Sequence, residues 1–340
     1  MLKRYSTIVY IAIAALLMRI FVLGFYSVKS GSMSGTLLKG DIVVVDKLSY
    51  GIRIPSRPIE IPFLGAFCYF LGIHSWASKT KWNSVRVLSI MDIKMGDVVV
   101  FQRGGSGEYL LKRCIGLPGD TIAVIHAQTY VNSVLQTPPA DALHKYTIYT
   151  TNNYSTKEIT RVFNIDSERI IEGDLKHSLV TITERQADSL KKSKLIYKME
   201  RQDFPKGSFS PYLFPFSVNY NYTNENYGPI IIPKKGISVP LNLDNINLYA
   251  DIIRIHEHNN LIVNETGVFI DKKPIVRYKF KGDYFFVMGD NRGISVDSRY
   301  WGFLPEKEIL GKVRMRLRIP WSLREAISNG GITQFIQTVH

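Results

Sequence analysis

The sequence predicts a mainly β protein that follows a single N-terminal membrane helix. Near the N-terminus, Ile8–Tyr26 is apolar apart from Arg19 and has close to the ~20 residues that span a bilayer. Downstream, Gly-Asp pairs recur directly before short runs of β-branched and aromatic residues, a pattern typical of turns that lead into strands. Several short strands separated in this way indicate a barrel or a sandwich rather than a doubly wound sheet.

The apolar segment is expected to be a retained membrane anchor. Lys3 and Arg4 precede it, and positive flanks face the cytoplasm, so the rest of the chain is expected on the outer side. A cleaved signal peptide with its apolar core at Ile8–Met18 is the alternative, but no small-x-small cleavage site follows at a suitable distance. The apolar run also resumes after Arg19, whose side chain reaches the headgroups from a position near the outer leaflet.

Four strands are predicted to follow Gly-Asp pairs. Glycine supplies the backbone freedom that a turn needs, and aspartate supplies a local hydrogen bond. The pairs are Gly40-Asp41 before Ile42–Val45, Gly96-Asp97 before Val98–Phe101, Gly119-Asp120 before Thr121–Ile125, and Gly282-Asp283 before Tyr284–Val287. Two hairpins, at Tyr130–Leu135 and Val268–Val276, are expected in the long region between these motifs, which we interpret as an inserted β-rich domain.

Three segments depart from the strand pattern. Ile52–Trp76 is apolar but too rich in proline to be a second membrane helix, so it is either a loop packed on the core or an apolar surface that rests on the membrane. A helix is predicted over Glu184–Met199, because Thr183 and Gln186 form a capping-box pattern. The chain from Arg314 onward is basic, which is typical of a solvated end or of contact with anionic lipid.

The composition narrows the class of partner. The 340 residues have a net charge of +14, but the basic residues are spread along the chain and no RNA-binding or zinc-finger signature is present, so nucleic acid is not expected.

Cys68 and Cys114 are too few for a disulfide framework or a zinc site, and Cys114 is expected to be a buried thiol. His256 and His258 flank Glu257 in a strand-like run without a third ligand, so no metal is expected.

Ser32 is a candidate nucleophile in the sequence Ser30-Gly31-Ser32-Met33. It follows the predicted anchor so closely that, at ~3.3–3.6 Å per extended residue, it lies within ~25 Å of the bilayer. By itself such a loop is an ordinary flexible turn. A nucleophilic serine needs a base, and no histidine here stands in a motif that suggests a Ser-His-Asp arrangement.

Lys112 is the candidate base. Strand alternation in Tyr109–Ile115 places it on one face with Leu110 and Cys114, and burial among apolar neighbours lowers the pKa of a lysine. A neutral amine beside a serine hydroxyl accepts its proton. The alternative is a surface lysine on a half-exposed strand.

A third cluster, Gly289–Gly302, is dense in polar, charged and aromatic residues between two predicted strands. Its aspartates and arginines are expected to form hydrogen-bonded ion pairs that hold a loop rigid, and Ser295 supplies a hydroxyl that can orient an amine. The charged residues concerned are Asp290, Arg292, Asp297 and Arg299.

Taken in order, these segments resemble type I signal peptidases. Ser30-Gly31-Ser32-Met33 with Thr36-Leu37 resembles the nucleophile box, Gly96–Phe101 and Leu111–Asp120 resemble the box of the catalytic lysine, and Gly289–Gly302 resembles the C-terminal box almost residue for residue. The resemblance covers roughly 27–120 and 281–318, and it does not extend to the region between them.

The resemblance implies roles for individual residues. Ser32 matches the nucleophile and Lys112 the general base, while the Ser30 hydroxyl with the Ser32 backbone N–H matches the oxyanion hole. Ser295 matches the serine that orients the lysine, and Met33 matches a residue of the substrate cleft. Supporting ion pairs are implied for Arg113, Asp290, Asp297 and Arg299.

The resemblance also implies an organisation and a reaction. The expected domains are an anchor at 1–26, a catalytic core at 27–120 and 281–318, an inserted accessory domain at 121–280, and a tail at 319–340. The expected protein removes signal peptides from exported preproteins after small residues, on the outer face of the cytoplasmic membrane. It is expected to need no cofactor or metal, and to meet the lipid bilayer and the export machinery.

Two departures from the family pattern and two rivals qualify this interpretation. Gly35 stands where proline is usual, which is expected to loosen the backbone behind Ser32, and the 52–87 stretch is longer than in many relatives. One rival is the self-cleaving repressor family, which uses a similar Ser–Lys pair. The other is a catalytically idle, membrane-anchored binding protein on the same scaffold.

Overall fold

The secondary structure is mainly β, as predicted. The computed structural model describes residues 2–54, 57–58, 61, 64–80, 82, 86–87, 90–103, 108–151, 156–163, 165, 169–172, 177–204, 207–318 and 336–339. The α-helices in these ranges are α1 Leu2–Phe21, α2 Leu64–Phe70, α3 His74–Lys79, α4 Thr156–Val162, α5 Glu184–Lys191, α6 Ile246–Asp251 and α7 Ser298–Trp301.

The first eleven strands are β1 Leu23–Ser27, β2 Ile42–Asp46, β3 Ile52–Arg53, β4 Arg86–Val87, β5 Val98–Gln102, β6 Tyr109–Gly116, β7 Thr121–Ile125, β8 Gln128–Val131, β9 Val134–Leu135, β10 Leu143–Thr150 and β11 Ile170–Glu172. The others are β12 His177–Thr183, β13 Ile196–Arg201, β14 Tyr227–Ile231, β15 Ser238–Pro240, β16 Leu261–Asn264, β17 Gly267–Ile270, β18 Lys273–Pro274, β19 Arg277–Lys279, β20 Tyr284–Met288, β21 Leu304–Pro305, β22 Ile309–Leu317 and β23 Ile336–Thr338. All four strands predicted after Gly-Asp pairs are present, as β2, β5, β7 and β20.

The chain divides into two units by its internal contacts. Unit 1 comprises Met1–Lys29, Gly40–Leu111 and Lys307–His340, and unit 2 comprises Ser30–Lys39 and Lys112–Glu306. The predicted insertion, 121–280, lies inside unit 2 together with parts of the predicted catalytic core. The domain boundaries given by the sequence remain a prediction.

Unit 1 is built on an antiparallel sheet. Its strands lie in the order β1-β2-β22-β5, and β23 pairs with β22. Every residue of β5 is buried, which explains why its sequence is a continuous apolar run instead of an alternation. Gly40 and Gly96 both have positive φ, near +95° and +90°, so each turn before a strand uses the backbone freedom of glycine.

The N-terminal helix ends earlier than the sequence predicted. The anchor was predicted over Ile8–Tyr26, but α1 ends at Phe21, because Leu23–Ser27 pairs with β2 and that pairing overrides the apolar run. The Lys47 ammonium donates to the carbonyls of Arg19 and Ile20 at 2.9 and 3.2 Å, which satisfies groups that a helix end leaves open. Over the ranges described, no helix has both the length and the apolar character needed to cross a membrane.

The apolar stretch Ile52–Trp76 contains α2 and α3. The two helices and the turn between them bury Cys68 and Ala77 but leave most of their large apolar side chains exposed, as an apolar surface would; contact with the membrane stays a prediction. The exposed side chains are Phe67, Tyr69, Phe70, Leu71, Ile73 and Trp76. Pro55 and Pro62 lie outside the described residues.

Unit 2 has one large core beneath several small sheets. Strands β14-β7-β8-β9 form one sheet, β6 pairs with β20, and β20 pairs with β21. Both predicted hairpins are present, since β8–β9 turns through Asn132-Ser133 and β17–β18 turns through Asp271-Lys272, with φ between +49° and +67° at all four residues. Two consecutive residues of positive φ match the right-handed twist of the strands that they join.

A second core in unit 2 lies between α5 and the sheet β11-β12-β10-β13. The predicted capping box is confirmed, because the Thr183 hydroxyl accepts from Gln186 N and the Gln186 side chain accepts from Thr183 N. The helix is shorter than the predicted Glu184–Met199, because Ile196–Arg201 pairs with β10 as β13. Helical signals at the start of α5 therefore say nothing about where it ends.

The basic C-terminal region begins within strand β22, which ends at Leu317. Arg314 contacts Asp46 at 3.2 Å, and Arg318 contacts Asp41 at 3.0 Å, so these arginines serve ion pairs within unit 1 instead of a solvated end. Of the predicted tail, 319–340, only residues 336–339 are described.

The two cysteines and the His256–His258 run have structural roles. Cys68 and Cys114 are both free, buried thiols, as predicted for Cys114. The run around Glu257 follows a π-helical turn, Ile252–His256, and is not the predicted strand. Glu257 accepts hydrogen bonds from the hydroxyls of Tyr278 and Tyr284. In the part of the chain that the structure describes, no three His, Cys, Asp or Glu side chains are grouped so as to hold a metal.

Candidate active site

Ser32 lies in a tight turn within the Ser30–Lys39 segment of unit 2. Gly31–Met33 forms a single 3₁₀ turn in which Ser34 N donates to Gly31 O at 3.0 Å. Met33 and Leu37 are buried, which anchors the turn, while Ser32 is only half-buried. The hydroxyl of Ser32 is therefore held on a fixed backbone and is still partly accessible.

The Gly289–Gly302 loop holds this turn from one side. Asn291 N donates to Ser32 O at 3.0 Å, and Asn291 Nδ2 donates to Gly31 O at 3.2 Å. A Cβ atom on Gly289 would lie 2.4 Å from Ser32 O and 2.2 Å from Ser295 Oγ, so only glycine permits this approach. Asn291 was given no role from the sequence, although it lies inside a recognised motif.

Lys112 is buried beside the hydroxyl of Ser32. Its Nζ lies 2.9 Å from Ser32 Oγ, and the residue is only 4% exposed, so the alternative of a surface lysine is wrong. Burial lowers the pKa of the Lys112 ammonium, and the charges of Asp297 and Asp290 oppose that effect without cancelling it. A larger fraction of neutral amine is thus available than an exposed lysine would supply.

Arg113 is the next residue of β6 and points to the opposite side from Lys112. Its guanidinium donates to both carboxylate oxygens of Asp290, at 2.9 and 2.8 Å, and both side chains are almost fully buried. The Thr36 hydroxyl donates to the same carboxylate at 2.6 Å. A bidentate pair of this kind fixes orientation as well as charge, and it joins β6, the Gly289–Gly302 loop and the Ser30–Lys39 segment within unit 2.

Asp297 and Arg299 form a second buried bidentate pair, with both contacts at 2.9 Å. The Asp297 carboxylate also accepts from Gly289 N at 3.1 Å and from Arg299 N at 3.2 Å, which caps α7. Burial alone would raise the pKa of the Asp297 carboxyl, but the charge and hydrogen bonds of Arg299 outweigh it and hold the pKa below its ordinary value.

The positions of Ser30, Ser295 and Met33 agree less closely with the roles that the resemblance implies. The hydroxyl of Ser30 is 3.2 Å from that of Ser32 and is exposed. Ser295 is 1% exposed, and its hydroxyl interacts with the Asp297 carboxylate, whose pKa it helps to lower, but it makes no hydrogen bond to Lys112, so the implied contact with the lysine is not formed in this structure. Met33 is 1% exposed and offers almost no surface to a peptide, in contrast to the implied place in the substrate cleft.

The sequence suggested that Gly35 loosens the backbone behind Ser32; in the structure, Gly35 occupies a position that no other residue can take without strain and a clash. Its φ is +105°, which proline cannot adopt, and a Cβ there would lie 1.9 Å from the backbone oxygen of Asp141. We expect Gly35→Ala to lower the free energy of unfolding by at least about 2 kcal/mol, measured by urea denaturation, because strain and a clash with a main-chain atom combine.

Gly40→Ala is the matched control for this prediction. Gly40 also has positive φ, but nothing lies within 4 Å of its Cβ position, so only the backbone strain applies, about 1–2 kcal/mol. Equal losses in the two variants would contradict the steric role of Asp141.

One known protein family matches most of the chain. A family model described as signal peptidase, peptidase S26, matches residues 1–178 and 256–319, which is well over half of the chain. The chain belongs to this family. The matched ranges include Ser32, Lys112 and the Gly289–Gly302 loop, and the unmatched 179–255 lies in unit 2. As a member of the peptidase S26 family, the chain is a serine protease.

Individual signal peptidases are also similar. Signal peptidase I of Buchnera aphidicola subsp. Acyrthosiphon pisum is 27% identical over 319 residues, which are 92% of this chain and 73% of the relative. Signal peptidase I of Helicobacter pylori strain 26695 is 23% identical over 318 residues, 93% of this chain and 79% of the relative. A solved signal peptidase I from Enterococcus faecalis V583 covers 66% of this chain and 99% of its own, at 18% identity and a TM-score of 0.26. Family membership supports signal-peptide removal and decides against the self-cleaving repressors.

Proposed function

We propose that the chain removes signal peptides from preproteins with Ser32 as nucleophile and Lys112 as general base. The distance of 2.9 Å between Lys112 Nζ and Ser32 Oγ is the observation that carries this proposal. It combines hydrogen-bond reach with a lysine that burial disposes to lose its proton.

The steps follow from the chemistry of the pair. Neutral Lys112 takes the hydroxyl proton as Ser32 Oγ attacks the scissile carbonyl, and the resulting ammonium gives that proton to the leaving amine. In deacylation, neutral Lys112 takes a proton from a water molecule as its oxygen attacks the acyl carbonyl, and the resulting ammonium returns that proton to Ser32 Oγ as the ester bond breaks. The Ser30 hydroxyl and the Ser32 backbone N–H are proposed to donate to the oxyanion, once Ser30 turns from Ser32 Oγ.

The two buried ion pairs are proposed to position this machinery. The Arg113–Asp290 pair holds the start of the Gly289–Gly302 loop, and the Asp297–Arg299 pair holds its end. The resemblance implies that Ser295 orients Lys112. We propose that Ser295 does so after its hydroxyl rotates towards the amine. Met33 supports the turn of the nucleophile from beneath.

The proposed location is the outer face of the cytoplasmic membrane. Helix α1 exposes Ile8, Val9 and Ile11, and Lys3 and Arg4 precede them, which favours a single anchor with a cytoplasmic N-terminus. The exposed aromatic residues of α2 and α3 are proposed to lie at the lipid headgroups, where tryptophan and tyrosine are enriched. The partners are then preproteins with small residues before the cut, lipid, and the export machinery.

Acylation kinetics test the dyad directly. We expect a serine-acylating inhibitor to form one covalent adduct at Ser32, detected by mass spectrometry of the full chain in detergent. The acylation rate should rise from mildly acidic to alkaline pH, because only the unprotonated amine accepts the proton and its pKa is lowered from 10.5. A catalytically idle binding protein would form no adduct, and a rate independent of pH would contradict the role of Lys112.

A further inference from the structure

A small polar cavity in unit 2 has four basic side chains in its lining. It is bordered by Lys145, Arg201, Arg292 and Arg299, by the imidazole of His144, and by a single carboxyl group, that of Glu225. Ser32 and Lys112 are not among its lining residues. The centre of a water-sized group can occupy about 20 Å³ within it.

His144 presents a buried N–H to this cavity. The Arg201 guanidinium contacts His144 Nδ1, and a guanidinium can only donate, so Nδ1 accepts. Burial, together with the charges of Arg201, Arg292 and Arg299, lowers the pKa of His144 to about 3, so the ring is neutral and its hydrogen is on Nε2. Nε2 has no partner among the described residues, and His144 is only 4% exposed.

Arg292 carries a charge that lacks a counter-ion. Within the described ranges no carboxylate oxygen lies within 4 Å of it, and its Nη1 has only Thr129 Oγ1 at 3.4 Å and Met288 Sδ at 3.1 Å. Burial of the guanidinium lowers its pKa to about 10 in spite of the nearby charge of Asp290. The Nε atoms of Arg292 and Arg201 are likewise buried without a described partner. A buried charge without a partner of opposite sign is strongly unfavourable.

The remaining polar groups can adapt to a negative ligand. The unpartnered atoms of Gln202 and Asn224 are amide oxygens, and rotation of either amide by 180° would present an N–H₂ donor in their place. Burial raises the pKa of the Glu225 carboxyl, whose Oε2 also lacks a described partner. Arg299 and Arg201 have carboxylate partners in Asp297 and Glu184, so, among the described residues, the unpaired positive charge at the cavity is that of Arg292 and Lys145.

We propose that this cavity binds one halide ion, chloride under cellular conditions. One water requires about 10–15 Å³ of such space, so the cavity has room for a single monoatomic anion with at most one water. The ion would offset the unpaired charge of Arg292 and accept from the N–H groups of His144 and Arg201. The bound ion would thereby join β10 and β13 to the Gly289–Gly302 loop within unit 2.

Thermal unfolding of the full chain in detergent tests this proposal. At matched ionic strength, sodium chloride and sodium bromide should raise Tm saturably by about 2–4 °C over sodium gluconate. Arg201→Gln should abolish the difference. Arg277→Gln, which changes an exposed arginine bonded to the Ser238 carbonyl, should leave it unchanged.

Crystallography supplies a readout that needs no variant. Crystals of the full chain soaked in sodium bromide should give an anomalous peak within hydrogen-bond distance of His144 Nε2 and Arg292 Nε. Overturning results are a cavity that contains only water, or the same Tm in chloride and in gluconate. Since none of these measurements depends on activity, they stand apart from the test of the dyad.

Discussion

Ser32→Ala and Lys112→Met should each lower kcat/KM for preprotein cleavage by about 10⁴-fold or more. Without the hydroxyl there is no acyl-enzyme, and without the amine the hydroxyl stays protonated. Because the two groups act as a unit, the double variant should be no slower than the slower single variant. The measurement is the cleavage rate of a preprotein by the purified full chain. If either single variant kept its activity, the proposed mechanism would be wrong.

The pH dependence of stability distinguishes a loss of catalysis from a loss of folding in these variants. The lowered pKa of Lys112 means that, between this pKa and 10.5, the unfolded chain binds a proton that the folded chain does not. Stability therefore rises with pH across that window and falls as pH decreases through it. Lys112→Met should remove this part of the pH dependence without unfolding the chain. Lys279→Met, at an exposed strand lysine, should change neither the activity nor the slope.

Asp297→Ala is expected to lower the free energy of unfolding by about 3–5 kcal/mol. The substitution leaves the buried Arg299 guanidinium without its counter-ion, and it removes the acceptor of the Gly289 and Arg299 backbone N–H groups. It also removes a negative charge that raises the pKa of Lys112, so the pH at which activity appears should move lower. Urea denaturation and a pH profile measure the two effects.

The double variant Asp297→Ala with Arg299→Met should recover part of the lost stability, since the unpaired charge is then gone. Glu200→Ala is the matched control, because Glu200 forms an exposed ion pair with Lys198, and its loss should leave the unfolding transition essentially unchanged. A loss from Asp297→Ala no larger than that from Glu200→Ala would show that the buried pair contributes nothing to the fold.

The sequence predicted those features that depend on local pattern. The apolar neighbours of Lys112 on β6 indicated burial, with a surface lysine as the alternative, and the turn at Gly40-Asp41 followed from its residue types. It could not predict the contact of Thr36 with Asp290, because the two residues are 254 positions apart and neither is unusual where it stands. Gly35 was misjudged for the same reason, since the atom that excludes a side chain belongs to Asp141.

Element ends were predicted less well than element starts. The apolar run of α1 continues into Leu23–Ser27, and only pairing with β2 shows that the helix has ended. In the same way, α5 ends because β10 offers Ile196–Arg201 a strand partner. Tertiary pairing overrides local propensity at both places, and the sequence of the segment itself carries no sign of it.

The dependence of the Ser32 turn on Asn291 has a consequence for biosynthesis. Ser32 leaves the ribosome early, but the residue that fixes its backbone, Asn291, is translated roughly 260 positions later. At roughly 5–20 residues per second, the nascent chain remains without the completed Ser32 turn for much of its synthesis. Under the proposed function, the chain is thus kept from cutting its own emerging N-terminus during translation.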